Sequence, residues 1–242
     1  DIKMNSNLQN QQVYPASQAS SQASTLFLAK VFNWMAIGLG LTAVIAFLVA
    51  GSATAQQLIF GNTMVFYGLI IGELGLVIYL SARIQQMTAG RATMMFLLYS
   101  ALNGATLSAI LLLYTATSVA GAFVVAAGMF AAMAVYGTVT KKDLSSMGSF
   151  MFMGLIGMII ASVVNIFMGS AMISWAISAI GVIVFTGLTA YDVQKISAYG
   201  AGGIMESGES AIKKGAIMGA LSLYLDFINL FLSLLRLMGD RR

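Results

Sequence analysis

The chain has 242 residues, of which 59% are hydrophobic and 8% charged, with a mean hydropathy of +0.89. That composition excludes an ordinary soluble domain and describes an integral membrane protein. Lys and Arg number 12 against 8 Asp and Glu, a net charge of +4, and there is neither Cys nor His, which excludes disulfides, thiolate or imidazole metal sites and nucleophilic triads built on His or Cys.

Residues 1–25, with Gln9, Gln11, Gln12 and a Ser/Ala/Gln run from Ala16 to Ser24, are polar and low in complexity and read as a disordered cytoplasmic tail that packs against nothing. The tail is too long and polar to be the start of a cleaved signal peptide, so the first apolar segment is expected to be retained. Apolar segments follow at 31–50, 63–82, 92–114, 119–139, 147–168, 172–193 and 215–238, each near the ~20 residues that cross a hydrocarbon core of ~30 Å. None alternates like a barrel strand, and a lone chain in lipid must satisfy its backbone internally, so residues 26–242 are expected to form an all-α, polytopic domain of seven transmembrane helices. Two small-xxx-small pairs, Gly68/Gly72 and Gly215/Gly219, are candidates for close helix contact.

The connections alternate in charge. Lys3 and Lys30 precede the first segment, Arg83 and Arg91 lie between the second and third, Lys141 and Lys142 between the fourth and fifth, and Lys195, Lys213 and Lys214 between the sixth and seventh. The connections near 51–62, 115–118 and 169–171 carry no basic residue. The positive-inside rule then puts the N-terminus in the cytoplasm. Seven crossings leave Arg241 and Arg242 outside, against the rule, so the last segment either crosses despite its basic end or re-enters. Crossing is the expected outcome, because earlier loops usually fix orientation.

The last segment holds the most informative residue. Asp226 stands in the middle of it, and an ionisable group at bilayer depth costs several kcal/mol unless it has a partner or a task. Gly215, Gly219, Ser222, Asp226, Asn229, Ser233 and Arg236 recur at alternating steps of four and three, so one face of this helix avoids lipid. Glu73 lies ~15 Å from Arg83 along the second helix, and Arg236 ~15 Å from Asp226 along the seventh. Setting Asp226 level with Asp192 satisfies both offsets. Asp192 then pairs with Asp226, Arg83 flanks them at the inner edge, and Glu73 meets Arg236 as a structural ion pair near mid-membrane. That alignment projects Lys214 ~18 Å beyond Asp226, which requires a bend or a longer cytoplasmic helix. The plainer alternative is that Asp192, close to Lys195, is an interfacial residue.

Gly187-Leu188-Thr189-Ala190-Tyr191-Asp192-Val193-Gln194-Lys195, the string from Ala220 to Phe231 around Asp226, and Lys141-Lys142-Asp143-Leu144-Ser145 resemble the Bax inhibitor-1 family, especially its bacterial inner-membrane branch. The resemblance covers roughly residues 26–242. It implies six helices around a central seventh, and a pH-sensitive calcium leak in which aspartates matching Asp192 and Asp226 share a proton and control a pore. Glu73 and Arg236 match acidic and basic positions of the family. The family's latch arginine falls at Ile84, one position from Arg83, and one residue turns a side chain by about 100°. Arg83 is therefore a candidate latch that reaches the pair by its length, or a residue that snorkels to headgroups.

Two carboxylates within hydrogen-bonding distance cannot both ionise cheaply, so the pair is expected to titrate as one unit and, without histidine, to be the chain's pH switch. Hard oxygens from Asp192, Asp226 and Asn229 suit calcium, and two aspartates are too few for a closed site, which fits transient occupancy during conduction. Ser222, Asn229 and Ser233 are the expected pore-facing polar residues. No cofactor is expected beyond calcium as permeant ion. The partners are the lipid bilayer, calcium and protons, and not nucleic acid, because the net charge is loop topology. A membrane aspartyl protease also pairs two aspartates, but its second lies in a Gly-x-Gly-Asp setting, whereas here Leu225 and Phe227 flank Asp226. No enzyme activity is expected. The other reading is an interaction protein: bacterial members that bind or modulate a membrane protease make the N-terminal tail a natural handle.

Overall fold

The computed structural model describes residues 19–242, and the membrane-length elements among them are helices. In chain order these are α1 (Ile2–Ala50, described from Ala19), α2 (Ala53–Phe60), α3 (Thr63–Arg83), α4 (Ala89–Leu113), α5 (Ala116–Val139), α6 (Ser145–Met168), α7 (Ala171–Ala201) and α8 (Glu209–Met238). All but α2 are long and apolar enough to span a membrane, so the chain is a polytopic all-α membrane protein. Short 3-10 turns close α3 and precede α8.

Helix starts follow a simple chemical rule. The side-chain oxygens of Ser52, Asn62, Thr88, Thr115 and Ser170 accept from backbone N–H groups of α2, α3, α4, α5 and α7, satisfying donors that the first helical turn leaves without partners. At α6 the Ser145 N–H donates to Asp143 Oδ1 at 2.8 Å. The Ser145 side chain and N–H hold the exposed Asp143 carboxyl below its usual range. These polar first turns make α4, α5, α6 and α7 begin one to three residues before their apolar segments. Ser52 also starts α2 inside what the sequence reads as a plain connection.

The proposed tail needs correcting at its end. Its first part lies outside the described residues, but Ala19–Thr25 continue α1, and Ser24 is buried with its hydroxyl 2.7 Å from that of Ser197.

The central helix is α8. Of its most apolar stretch 72% is buried, against 6% for α3 and for α6. It packs on α1, α4, α5 and α7, while α3 stands on α4 and α6 on α7. The expected ring of six is thus four helices in contact with α8 and two outside them. Lipid is as apolar as the core, so packing and hydrogen bonds hold such a bundle together. Phe227 stacks edge-on with Phe123 and Phe130, and Tyr224 with Phe96 and Tyr99. The buried Tyr224 hydroxyl reaches Thr42 at 2.6 Å, and Thr42 donates to the Ser100 carbonyl oxygen at 2.9 Å, tying α8, α1 and α4.

One end of the bundle gathers the basic connections. Lys214 donates to the Gln85 carbonyl oxygen at 3.0 Å, and Gln194 donates to that of Lys142 at 2.8 Å. At the far end, Thr115 N donates to the Asp240 carbonyl oxygen, Arg242 N to that of Leu113, and Asp240 N to the Ser118 hydroxyl. The last helix therefore crosses the bundle and does not re-enter. The longer helix that the depth alignment requires is present, since α8 begins at Glu209 and α7 continues to Ala201.

Candidate functional site

The α8 file divides cleanly. Gly215, Gly219 and Ser222 line a cavity of about 440 Å³ at the basic end, together with Gln85, Asp192, Lys195 and Tyr199. Asn229, Ser233 and Arg236 line a second cavity of about 260 Å³ between α6, α7 and α8. Asp226 falls between the two sets, one turn from each.

Asp226 is 5% exposed, and its Oδ2 has no hydrogen-bond partner among the described residues. The charged group that acts on it electrostatically is Asp192. Asp192 is half-buried, reaches the basic-end cavity, and feels Lys195 from the next turn. Lys195 itself lies over the Tyr191 ring, 5.7 Å from its centroid.

Close backbone approach fixes α7 at this point. A Cβ on Gly137 of α5 would run into the Ala190 carbonyl oxygen, and one on Gly148 of α6 would stand 2.5 Å from the Tyr191 ring. Next to these contacts, Gln194 clamps the turn before α6: its Oε1 accepts from Leu144 N at 2.9 Å while its Nε2 donates to Lys142. On α8, Gly215 and Gly219 seat against Phe27, Tyr199, Val31 and Ile196. The other small-xxx-small pair, Gly68 and Gly72, faces open space.

Two sequence expectations require correction. Arg83 does not reach the aspartates: its guanidinium is exposed and donates to Gln86 Oε1 at 2.6 Å, while Ile84, 2% exposed, takes the inward position. The offset of one residue decides this, because about 100° of rotation turns Arg83 away from the bundle. Nor do Glu73 and Arg236 pair. Glu73 is buried and accepts from the Thr106 hydroxyl of α4, whereas Arg236 is exposed at the far-end cavity. The cause is that α3 packs on α4 and not on α8. A double-mutant cycle of Glu73→Gln and Arg236→Gln is accordingly expected to be additive in thermal unfolding within about 0.5 kcal/mol. A coupling energy of ~3 kcal/mol, the size for breaking a buried pair, would restore the ion pair.

Asn229 lies in the far-end cavity and Asp192 in the basic-end one, so the three oxygen donors do not share one pocket. Among the described residues no group of three or more His, Cys, Asp or Glu stands ready for a metal. Most of the segment before Ser24, the expected handle for a membrane protease, lies outside the described residues. Sequence reasoning missed the Gln194 clamp, the Thr42–Tyr224 link and Thr106. Gln194 and Tyr224 sit inside the motifs already singled out, and their polarity within apolar strings was the available signal.

Residues 24–242 match the family described as inhibitor of apoptosis-promoting Bax1. Over 216 residues the chain is 54% identical to the inner membrane protein YbhL of Escherichia coli strain K12, covering 89% of this chain and 92% of that one. An uncharacterized protein of Borreliella burgdorferi is 48% identical over 217 residues, with 89% and 92% covered. One of Deinococcus radiodurans is 43% identical over 232 residues, with 96% and 97% covered.

Proposed function

The chain belongs to the Bax inhibitor-1 family, and from that premise we propose that it is a pH-sensitive calcium-permeable leak channel of the bacterial inner membrane, N-terminus cytoplasmic, gated by Asp192 and Asp226. The observation that carries this reading is the order along α8: a cavity, a buried aspartate with an unpartnered oxygen, and a second cavity on the same face. On this reading Asp226 is the closed constriction of a path, and the two cavities serve as its vestibules. With one proton between them, Asp192 and Asp226 hold α7 and α8 together. With that proton lost, two like charges on facing helices repel in a setting poorer in water than bulk solvent, which favours their separation. Calcium meets the carboxylate oxygens in transit and leaves because the ligand set is incomplete.

The test is calcium entry into vesicles carrying the purified protein, at about pH 6 and about pH 8. Flux that differs between the two supports the proposal, and flux no greater than in protein-free vesicles at either pH removes it. Because Arg83 points outward, Arg83→Ala is expected to leave the pH midpoint of flux at its wild-type value. A displaced midpoint would put the guanidinium back on the pair.

A further inference from the structure

The far-end cavity is walled mostly by apolar side chains, and its few polar ones are uneven in kind. Ser162, Ser178, Asn229 and Ser233 all line it, and all four commit donors to their own helices. The Ser162 hydroxyl donates to the Met158 carbonyl oxygen at 2.7 Å and that of Ser178 to Ser174 at 3.0 Å. Asn229 Nδ2 donates to Leu225 at 2.8 Å, and the Ser233 hydroxyl to Asn229 at 2.8 Å. The three serines are thus left with oxygen lone pairs to offer the cavity, and Asn229 with its Oδ1 and one remaining N–H, and such oxygens suit a cation. Arg236 is the one charged residue of that lining, and its guanidinium makes neither an ion pair nor a hydrogen bond among the described residues. Glu73, the acid nearest to hand in the sequence reading, is held at Thr106.

A fixed cation therefore stands in a compartment whose other polar groups favour a mobile one. We infer that Arg236 is a tethered cation that sets the charge barrier at the far-end mouth and so determines selectivity between divalent and monovalent ions. The inference rests on the channel reading above. Repulsion scales with the product of charges, so calcium meets twice the barrier that potassium does at the same position. An arginine in a pore wall is an established kind of cation barrier.

The experiment compares calcium and potassium flux in vesicles carrying the wild-type protein, R236K, R236Q or Asn229→Asp. R236Q is expected to raise the calcium-to-potassium flux ratio about tenfold, and R236K to keep the wild-type ratio. Asn229→Asp adds a negative charge to the same cavity and is expected to move the ratio in the direction of R236Q, which keeps the test available should R236Q not fold. Conduction by all forms at one unchanged ratio overturns the inference and leaves the channel standing. No flux above that of protein-free vesicles in any form overturns the channel reading, and the inference with it.

Discussion

Calcium flux through Asp226→Asn is expected to be equal at about pH 6 and about pH 8, where the wild-type rates differ. The substitution keeps the shape of the side chain at a site that is 5% exposed, so packing around α8 is preserved. It also supplies an N–H donor where Asp226 Oδ2 has no partner, which offers Asp192 a permanent substitute for the shared proton. Asp192→Asn is expected to behave alike, because a proton shared by two carboxylates is lost as a unit when either is removed. A pH response that survived in both single variants would sink the pair as the sensor. Attention would then pass to Glu73, the other buried acid of the described residues.

Much of this site was legible in the sequence, and the reason is specific. The file from Gly215 to Arg236 needs only the 3.6-residue period to be read, and lipid makes the period informative: a polar face in a membrane helix must turn inward. Seven spans and the crossing of α8 follow from the same scarcity of charge. The errors arose where rotation or neighbour choice mattered. Arg83 and Ile84 differ by one position and therefore by the side of the helix that meets the bundle. Glu73 and Arg236 agree in charge and in family position, but agreement in depth along two helices does not make the helices adjacent. The surplus lengths of α7 and α8 were hidden because their last and first turns, around Lys195 and Lys213, are polar and extend past the apolar signal. Even so, the need for that length was visible in the distance between Asp226 and Lys214.

Among single substitutions, Gly137→Leu is expected to be one of the most damaging to stability, leaving little folded protein in detergent. At Gly137 the obstacle is the Ala190 carbonyl oxygen, part of the α7 backbone. A helix backbone cannot rotate aside as a side chain does, so α5 and α7 must separate. Overpacking of this kind costs ~1–3 kcal/mol or more, a large share of the ~5–15 kcal/mol that holds a typical protein folded. Gly148→Ala should cost less, because its obstacle is the Tyr191 ring, which can tilt. Gly72→Leu should be close to neutral, because a Cβ there would meet nothing within 4 Å beyond its own helix backbone and chain neighbours. Thermal unfolding of the three variants checks the order, and a Gly137 variant as stable as the Gly72 variant would refute the contact. The same contact has a functional side. Asp192 follows Ala190 by two residues on the helix that Gly137 and Gly148 hold in place, so displacing α7 moves one half of the aspartate pair while α8 keeps the other. The milder Gly137→Ala is therefore expected to shift the pH midpoint of calcium flux in whatever protein still folds, whereas Gly72→Leu leaves it unchanged.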